Sequence, residues 1–245
     1  MLNRTFMRTA ALFITFMLPT GVGMTVATAQ TGAQKGAQTG AQTQAQVPPG
    51  ANAGSLTAEP RPLRETTKPE ALIADFNSTL LTVMRDAKAL KYAGRRDVLR
   101  KQLFDVYHLP VMARIAVGAH WRKLTPAQQT QLVTHFSRLT LATYASRFSG
   151  WSGEKFEMRG VQPVRDKTVL VKTVIIRPND EPVEINYLMR KFEAGWKVID
   201  VFLKESYSEL ATKRSEYSSV LRRKGFDALI RELDAKVAQY ANAPN

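Results

Sequence analysis

The apolar residues of this chain change period twice, and that switch restricts the fold more than any other feature of the sequence. Leu72, Phe76, Leu80, Val83, Met84, Ala87 and Leu90 recur at threes and fours, the spacing that lines one face of a helix. Between positions 156 and 203 the repeat shortens to two, the spacing of strands. At Phe226, Leu229, Ile230, Leu233, Val237 and Tyr240 the helical spacing returns. Helices, then a sheet, then helices predict an α+β domain.

Local signals place the elements. Thr67-Lys68-Pro69-Glu70 opens a first helix to about Leu90, with Gly94 as its breaker. Val98, Leu99, Leu103, Phe104 and Val106 mark a second, ending near Tyr107. Pro110 starts a short helix through Ile115, closed by Gly118. Thr125-Pro126-Ala127-Gln128 is a capping box for a long helix whose inner stripe is Leu132, Phe136, Leu139, Tyr144 and Phe148. Strands are predicted at 156–161, 167–177, 183–189 and 196–203, turning at 178–182 and 193–195. They form a twisted four-stranded antiparallel sheet packed against several helices.

The N-terminal quarter reads differently. Asn3, Arg4 and Arg8 precede an apolar run, then Pro19, Gly21, Gly23 and Ala27-Thr28-Ala29, the layout of a cleaved signal peptide over 1–29. An uncleaved anchor helix is the alternative. Gly32-Ala33-Gln34, Gly36-Ala37-Gln38 and Gly40-Ala41-Gln42 begin a leader over 30–66 with too few apolar side chains to offset the entropy of ordering it. The folded domain is expected at 67–241, in a bacterial periplasm. With 35 Lys+Arg against 21 Asp+Glu, a net charge of +14 favours a negatively charged partner. In that compartment an anionic membrane surface or an acidic protein is expected, and no nucleic acid: no aromatic pair sits on a basic strand as a base-stacking platform would require.

Chemistry finds little foothold. There is no cysteine, which excludes thiolate metal sites and cysteine nucleophiles. His108, His120 and His135 lack metal-ligand spacing. Gly150-Trp151-Ser152-Gly153 misses the nucleophile-elbow spacing by one residue and follows a helix end. Asp105 and Asp200 are expected to cap or to accept buried hydrogen bonds. No enzyme activity, metal or cofactor is expected; a hydrolase would have to rest on Ser152 or His120. The 167–177 strand is apolar on both faces at Val169, Leu170, Val171, Val174, Ile175 and Ile176, so both sides must be covered. Helices can cover one; a further helical layer, a partner or an apolar ligand must cover the other.

Several collinear segments carry a family resemblance: Phe104-Asp105-Val106, 114–122 with Gly118 and Trp121, 125–129, Tyr144, 187–191, Gly195 through Val201, and Arg214-Ser215-Glu216-Tyr217. Together the chain resembles the toluene-tolerance/MlaC family of periplasmic lipid-binding proteins, over about Lys68 to Tyr240. Lys204-Glu205-Ser206-Tyr207-Ser208 lacks the glycine usual in the phospholipid-carrier branch, and together with Ser208 through Glu216 it looks more like the hopanoid-associated HpnM branch. The resemblance implies a cone of NTF2-like type with added helices, holding acyl chains between sheet and helices. It implies a carrier moving phospholipid or hopanoid between inner-membrane and outer-membrane complexes. The tail contacts expected on that basis are Phe104, Val106, Ile115, Phe136, Leu139, Tyr144, Val171, Ile175, Tyr187, Met189 and Val201. The alternative is a non-catalytic periplasmic adaptor with a solid core, docking onto membrane transport machinery.

Overall fold

Six helices and five strands follow one another in the computed structural model, which describes residues 68–178, 180–203 and 207–243. The signal peptide and leader read at 1–29 and 30–66 lie outside the described residues. Helix α1 (Pro69–Arg85) begins with proline at its first position and an acid, Glu70, in its first turn. Helix α2 (Ala87–Val106) follows almost at once. The break between them differs from expectation. Gly94 lies inside α2, where the Leu90 side chain packs over it, and the backbone turns instead at Asp86 and at Lys91, whose φ is 53°.

Helix α3 (Leu109–Val117) runs into a 3-10 turn at Gly118–Lys123, and helix α4 (Pro126–Arg147) starts from the expected capping box. Thr125 Oγ1 accepts from the Gln128 N–H at 3.2 Å, and Gln128 Oε1 accepts from the Thr125 N–H at 3.0 Å. Two orphan donors of the helix start are thereby satisfied.

The sheet is antiparallel in the order β1 (Lys155–Arg165), β2 (Thr168–Arg177), β3 (Asp180–Phe192), β4 (Gly195–Leu203), β5 (Tyr207–Ser208). It therefore has five strands, not four. The added strand is two residues long, too short to show a period, and it delivers the chain into helix α5 (Glu209–Lys224), after which comes α6 (Phe226–Ala241). Asp200 makes that junction. Its Oδ1 accepts from the Val201 N–H at 2.7 Å and the Leu210 N–H at 3.2 Å, while Oδ2 accepts from Ser208 Oγ at 2.6 Å. Ser208 in turn caps α5 by accepting from the Ala211 N–H.

Register decides which residues meet the helices. Val171 pairs with Tyr187 and Tyr187 with Val201, so all three share one face; Ile175 and Val183 share it as well. In β4 the pairing shifts so that Met189 faces Val198 and Leu188 faces Asp200, leaving Ile199 extra. That bulge turns Val198 and Val201, three residues apart, to the same side. The opposite face of β2 is covered unevenly: Val174 is buried, whereas Leu170 and Ile176 are half-buried. Among the described residues no helix is long and apolar enough to cross a membrane.

Candidate functional site

The interior between sheet and helices is organised by one phenylalanine and three tyrosines. Phe76 lies on the buried stripe of α1, Tyr107 ends α2, Tyr144 belongs to α4 and Tyr187 to the middle of β3. The Phe76 ring meets Tyr107, Tyr144 and Tyr187 edge-on, with centroids 5.5, 5.6 and 6.3 Å away. Edge-to-face contact sets the positive rim of one ring on the negative face of another. Tyr144 also stacks on Phe148 at 5.6 Å.

Each hydroxyl of this group finds an uncharged partner. Tyr107 and Tyr144 share a hydrogen bond, and Tyr187 donates to Asn77 Oδ1 at 3.2 Å. Burial pushes the Tyr107 and Tyr187 hydroxyls well above the usual phenol range and Tyr144 up to about 12. All three are neutral at physiological pH, so they offer hydroxyl hydrogen bonds and no base. The packed interior around the rings is apolar, with a few neutral hydroxyls along its seam.

Eight of the expected contact residues fall in one contiguous buried cluster around these rings: Val106, Phe136, Leu139, Val171, Ile175, Tyr187, Met189 and Val201. Ile115 and Tyr144 are half-buried and pack against it. Phe104 does not join them: it is 46% exposed. Leu103 and Val106 already point inward from α2, and Phe104 is rotated by about 100° from Leu103 around the helix.

Phe76, Tyr107 and Asn77 were not singled out from sequence. Phe76 carried a signal as part of the α1 stripe, and Tyr107 as the residue closing α2. Asn77 carried none, because a polar residue beside an apolar stripe looks solvent-facing until its partner on β3 is known. Arg95 is a similar case: buried in α2, it donates through Nε to the Ala145 carbonyl at 2.8 Å and through Nη1 to the Ala87 carbonyl at 3.1 Å. It clamps α2 to the last turns of α4.

The helical cover of the sheet runs out at one edge. Met158 and Val161 pair with Thr173 and Val171, so they lie on the helix-facing side of the sheet, yet they are 40% and 39% exposed. Phe156, on the same face, is half-buried against the cluster. The helical layer therefore stops short of the outer end of β1.

The residues considered for catalysis are dispersed. Ser152 is exposed and its N–H bonds to Glu154; His135 Nδ1 lies 2.6 Å from Asp234 Oδ1, joining α4 to α6. Among the described residues no three His, Asp or Glu side chains gather closely enough to hold a metal ion.

Comparison with known proteins agrees with this architecture. A structure described as the phospholipid-binding protein from Ralstonia solanacearum in complex with a phospholipid superposes with a TM-score of 0.63 at 23% identity. The match covers 71% of this chain and 99% of that one, and at such identity it bears on the fold alone. The family model described as MlaC protein matches residues 75–235, which takes in α1 from its first turns, the whole sheet and most of α6. The chain belongs to the MlaC family.

Proposed function

We propose that this member of a periplasmic lipid-binding family carries a membrane lipid, phospholipid or hopanoid, with its apolar portion lodged between the helix-facing side of the sheet and α1 to α4. The observation that carries the reading is the contiguous uncharged interior built from Val106, Phe136, Leu139, Val171, Ile175, Tyr187, Met189 and Val201. The Ralstonia solanacearum protein of the same fold is described as phospholipid-binding, which supports a lipid of that class here.

The physics of such a carrier needs no chemical step. Each methylene moved out of water gains about 0.8 kcal/mol, so a diacyl lipid does not cross an aqueous gap unassisted. An interior as apolar as the bilayer makes exchange nearly neutral, and direction comes from the donor and acceptor complexes. Phe76 and the three tyrosines lie in contact, so acyl chains are accommodated when α1 parts from the sheet. The finer assignment to the HpnM branch rests on 204–216, of which 204–206 lie outside the described residues. Shuttling between inner- and outer-membrane complexes and docking of the basic protein on anionic membrane belong to the same proposal.

The adaptor reading draws on the close ring packing, which a solid core would also show. Vesicle-to-vesicle transfer of a fluorescent phospholipid separates the two. A carrier accelerates transfer in proportion to its concentration, whereas an adaptor binds vesicles and leaves the transfer rate at its spontaneous value.

A further inference from the structure

A groove of about 450 Å³ opens where the end of α3, the 3-10 turn and α5 meet, lined by Arg114, Ile115, Gly118, Ala119, Trp121, Arg122 and Arg214. Its composition is divided. Ile115 and Trp121 pack against the buried cluster and form an apolar wall continuous with the interior. Arg114, Arg122 and Arg214 are exposed and supply the charge.

Several other arginines of the fold are ion-paired. Arg96 and Arg100 lie against Asp97, Arg147 against Glu209, and Arg177 against Asp180. The guanidinium groups of Arg114, Arg122 and Arg214 make no ion pair or hydrogen bond with a described residue. Like charges lining one groove repel, and an anion between them relieves the repulsion.

One of the three is held by the backbone. Gly118 has φ +55°, and a Cβ placed on it would lie 2.5 Å from Arg214 Nε and 3.0 Å from Cζ and Nη2. The Arg214 guanidinium of α5 therefore rests directly on the main chain at the end of α3, in space that only glycine leaves open. Ordering one arginine this way lowers the entropy lost when it grips a ligand.

We propose that this groove binds the phosphate of an anionic lipid headgroup, with Arg114, Arg122 and Arg214 as donors and the lipid's chains continuing past Ile115 and Trp121 into the interior. The inference rests on the lipid-carrier function proposed above and adds to it the place where the headgroup is held. Planar guanidinium forks match phosphate oxygens two at a time, and they gain nothing from an uncharged polycyclic lipid. The volume lies in the range of about 300 to 1,000 Å³ usual for small-molecule pockets, the scale of a headgroup and not of a whole diacyl lipid.

The test is uptake from vesicles containing equal amounts of phosphatidylglycerol and diacylglycerol with identical chains. It compares the wild-type protein with Arg114→Gln/Arg122→Gln/Arg214→Gln, and with Arg122→Gln alone in case the triple variant folds poorly. The wild-type protein should prefer the phosphatidylglycerol by about tenfold, because exposed charge-assisted bonds are individually modest. The triple variant should lose that preference while diacylglycerol uptake stays unchanged, and Arg122→Gln should reduce it severalfold. Equal uptake of both lipids by all proteins overturns the headgroup site and leaves the carrier standing. Uptake of neither lipid overturns the carrier and the headgroup site with it. Titration with inorganic phosphate decides the remaining source: binding that is lost in the triple variant while phosphatidylglycerol uptake is unaffected identifies a free-phosphate site and contradicts the proposal.

Discussion

The Tyr187 hydroxyl donates to Asn77 Oδ1 at 3.2 Å, joining the middle of β3 to α1 across 110 residues of sequence. Both side chains are buried, so neither group can turn to water when the other is removed. Asn77→Leu leaves a buried hydroxyl unpaired and should cost about 1–3 kcal/mol in urea unfolding. Adding Tyr187→Phe removes the orphan, so the double variant should lose less than the sum of the single losses. Additive losses would show that the bond contributes nothing.

Tyr217 on α5 supplies the opposite case. Its hydroxyl is buried and has no hydrogen-bond partner among the described residues. Tyr217→Phe should therefore be neutral or stabilise by up to about 1 kcal/mol, whereas Tyr187→Phe destabilises. A loss above about 1 kcal/mol at Tyr217 would reveal a partner for that hydroxyl.

Much of this arrangement was legible in the sequence where the signal is local. The capping box at Thr125 and Gln128 places the start of α4 to the residue, because both partners lie within one turn. Alternation in β3 identifies Val183, Ile185, Tyr187 and Met189 as one inner face. What escaped reading depends on distant partners or on small departures from period. Gly94 looks like a breaker, yet the chain turns at Lys91. Strict alternation would set Val198 and Val201 on opposite faces, and only the bulge at Ile199 unites them. Phe104 looks as apolar as its neighbours, and nothing nearby in sequence says that Leu103 and Val106 already fill the inner stripe. The Asn77 contact has no local trace.

Lys91 carries the backbone strain of the α1–α2 region. At φ 53° and ψ −174° it occupies a conformation that side chains with a Cβ enter at a cost of about 1–3 kcal/mol. Lys91→Gly relieves that cost against a smaller entropic loss from the freer unfolded chain. The expected result is a gain of roughly 1 kcal/mol, seen as a higher urea midpoint at unchanged slope. A clear loss of stability would contradict it.

Acid should act on the β4–α5 junction through Asp200. Burial raises its carboxyl above the usual carboxylate range, outweighing the hydrogen bonds from Ser208, Val201 and Leu210 that pull the other way. A raised value in the folded state means that the fold binds the proton more tightly. The contribution of this titration is therefore full below the ordinary carboxylate value and is lost as pH rises through the raised one. Asp200→Asn cannot titrate, so the wild-type protein should gain stability relative to that variant as pH falls from about 7 to about 4. A wild-type stability that stays constant or falls relative to the variant over that range would show that the carboxylate is not penalised by burial.

Val171 is fully buried on the inner face of β2, opposite Tyr187. Phenylalanine there fills space that acyl chains need, and overpacking costs about 1–3 kcal/mol. Val171→Phe should therefore stay folded by far-UV circular dichroism and lose vesicle-to-vesicle lipid transfer. A variant that remains folded and transfers lipid at the wild-type rate would remove this face of β2 from the binding site.

The central claim is that the interior between sheet and helices admits a membrane lipid. Native mass spectrometry of the protein expressed with export and purified without detergent tests it most directly. The account predicts a population heavier by the mass of a lipid, released on activation and recovered as phospholipid or hopanoid. Protein of bare polypeptide mass that also remains unloaded after incubation with vesicles of either lipid would contradict it.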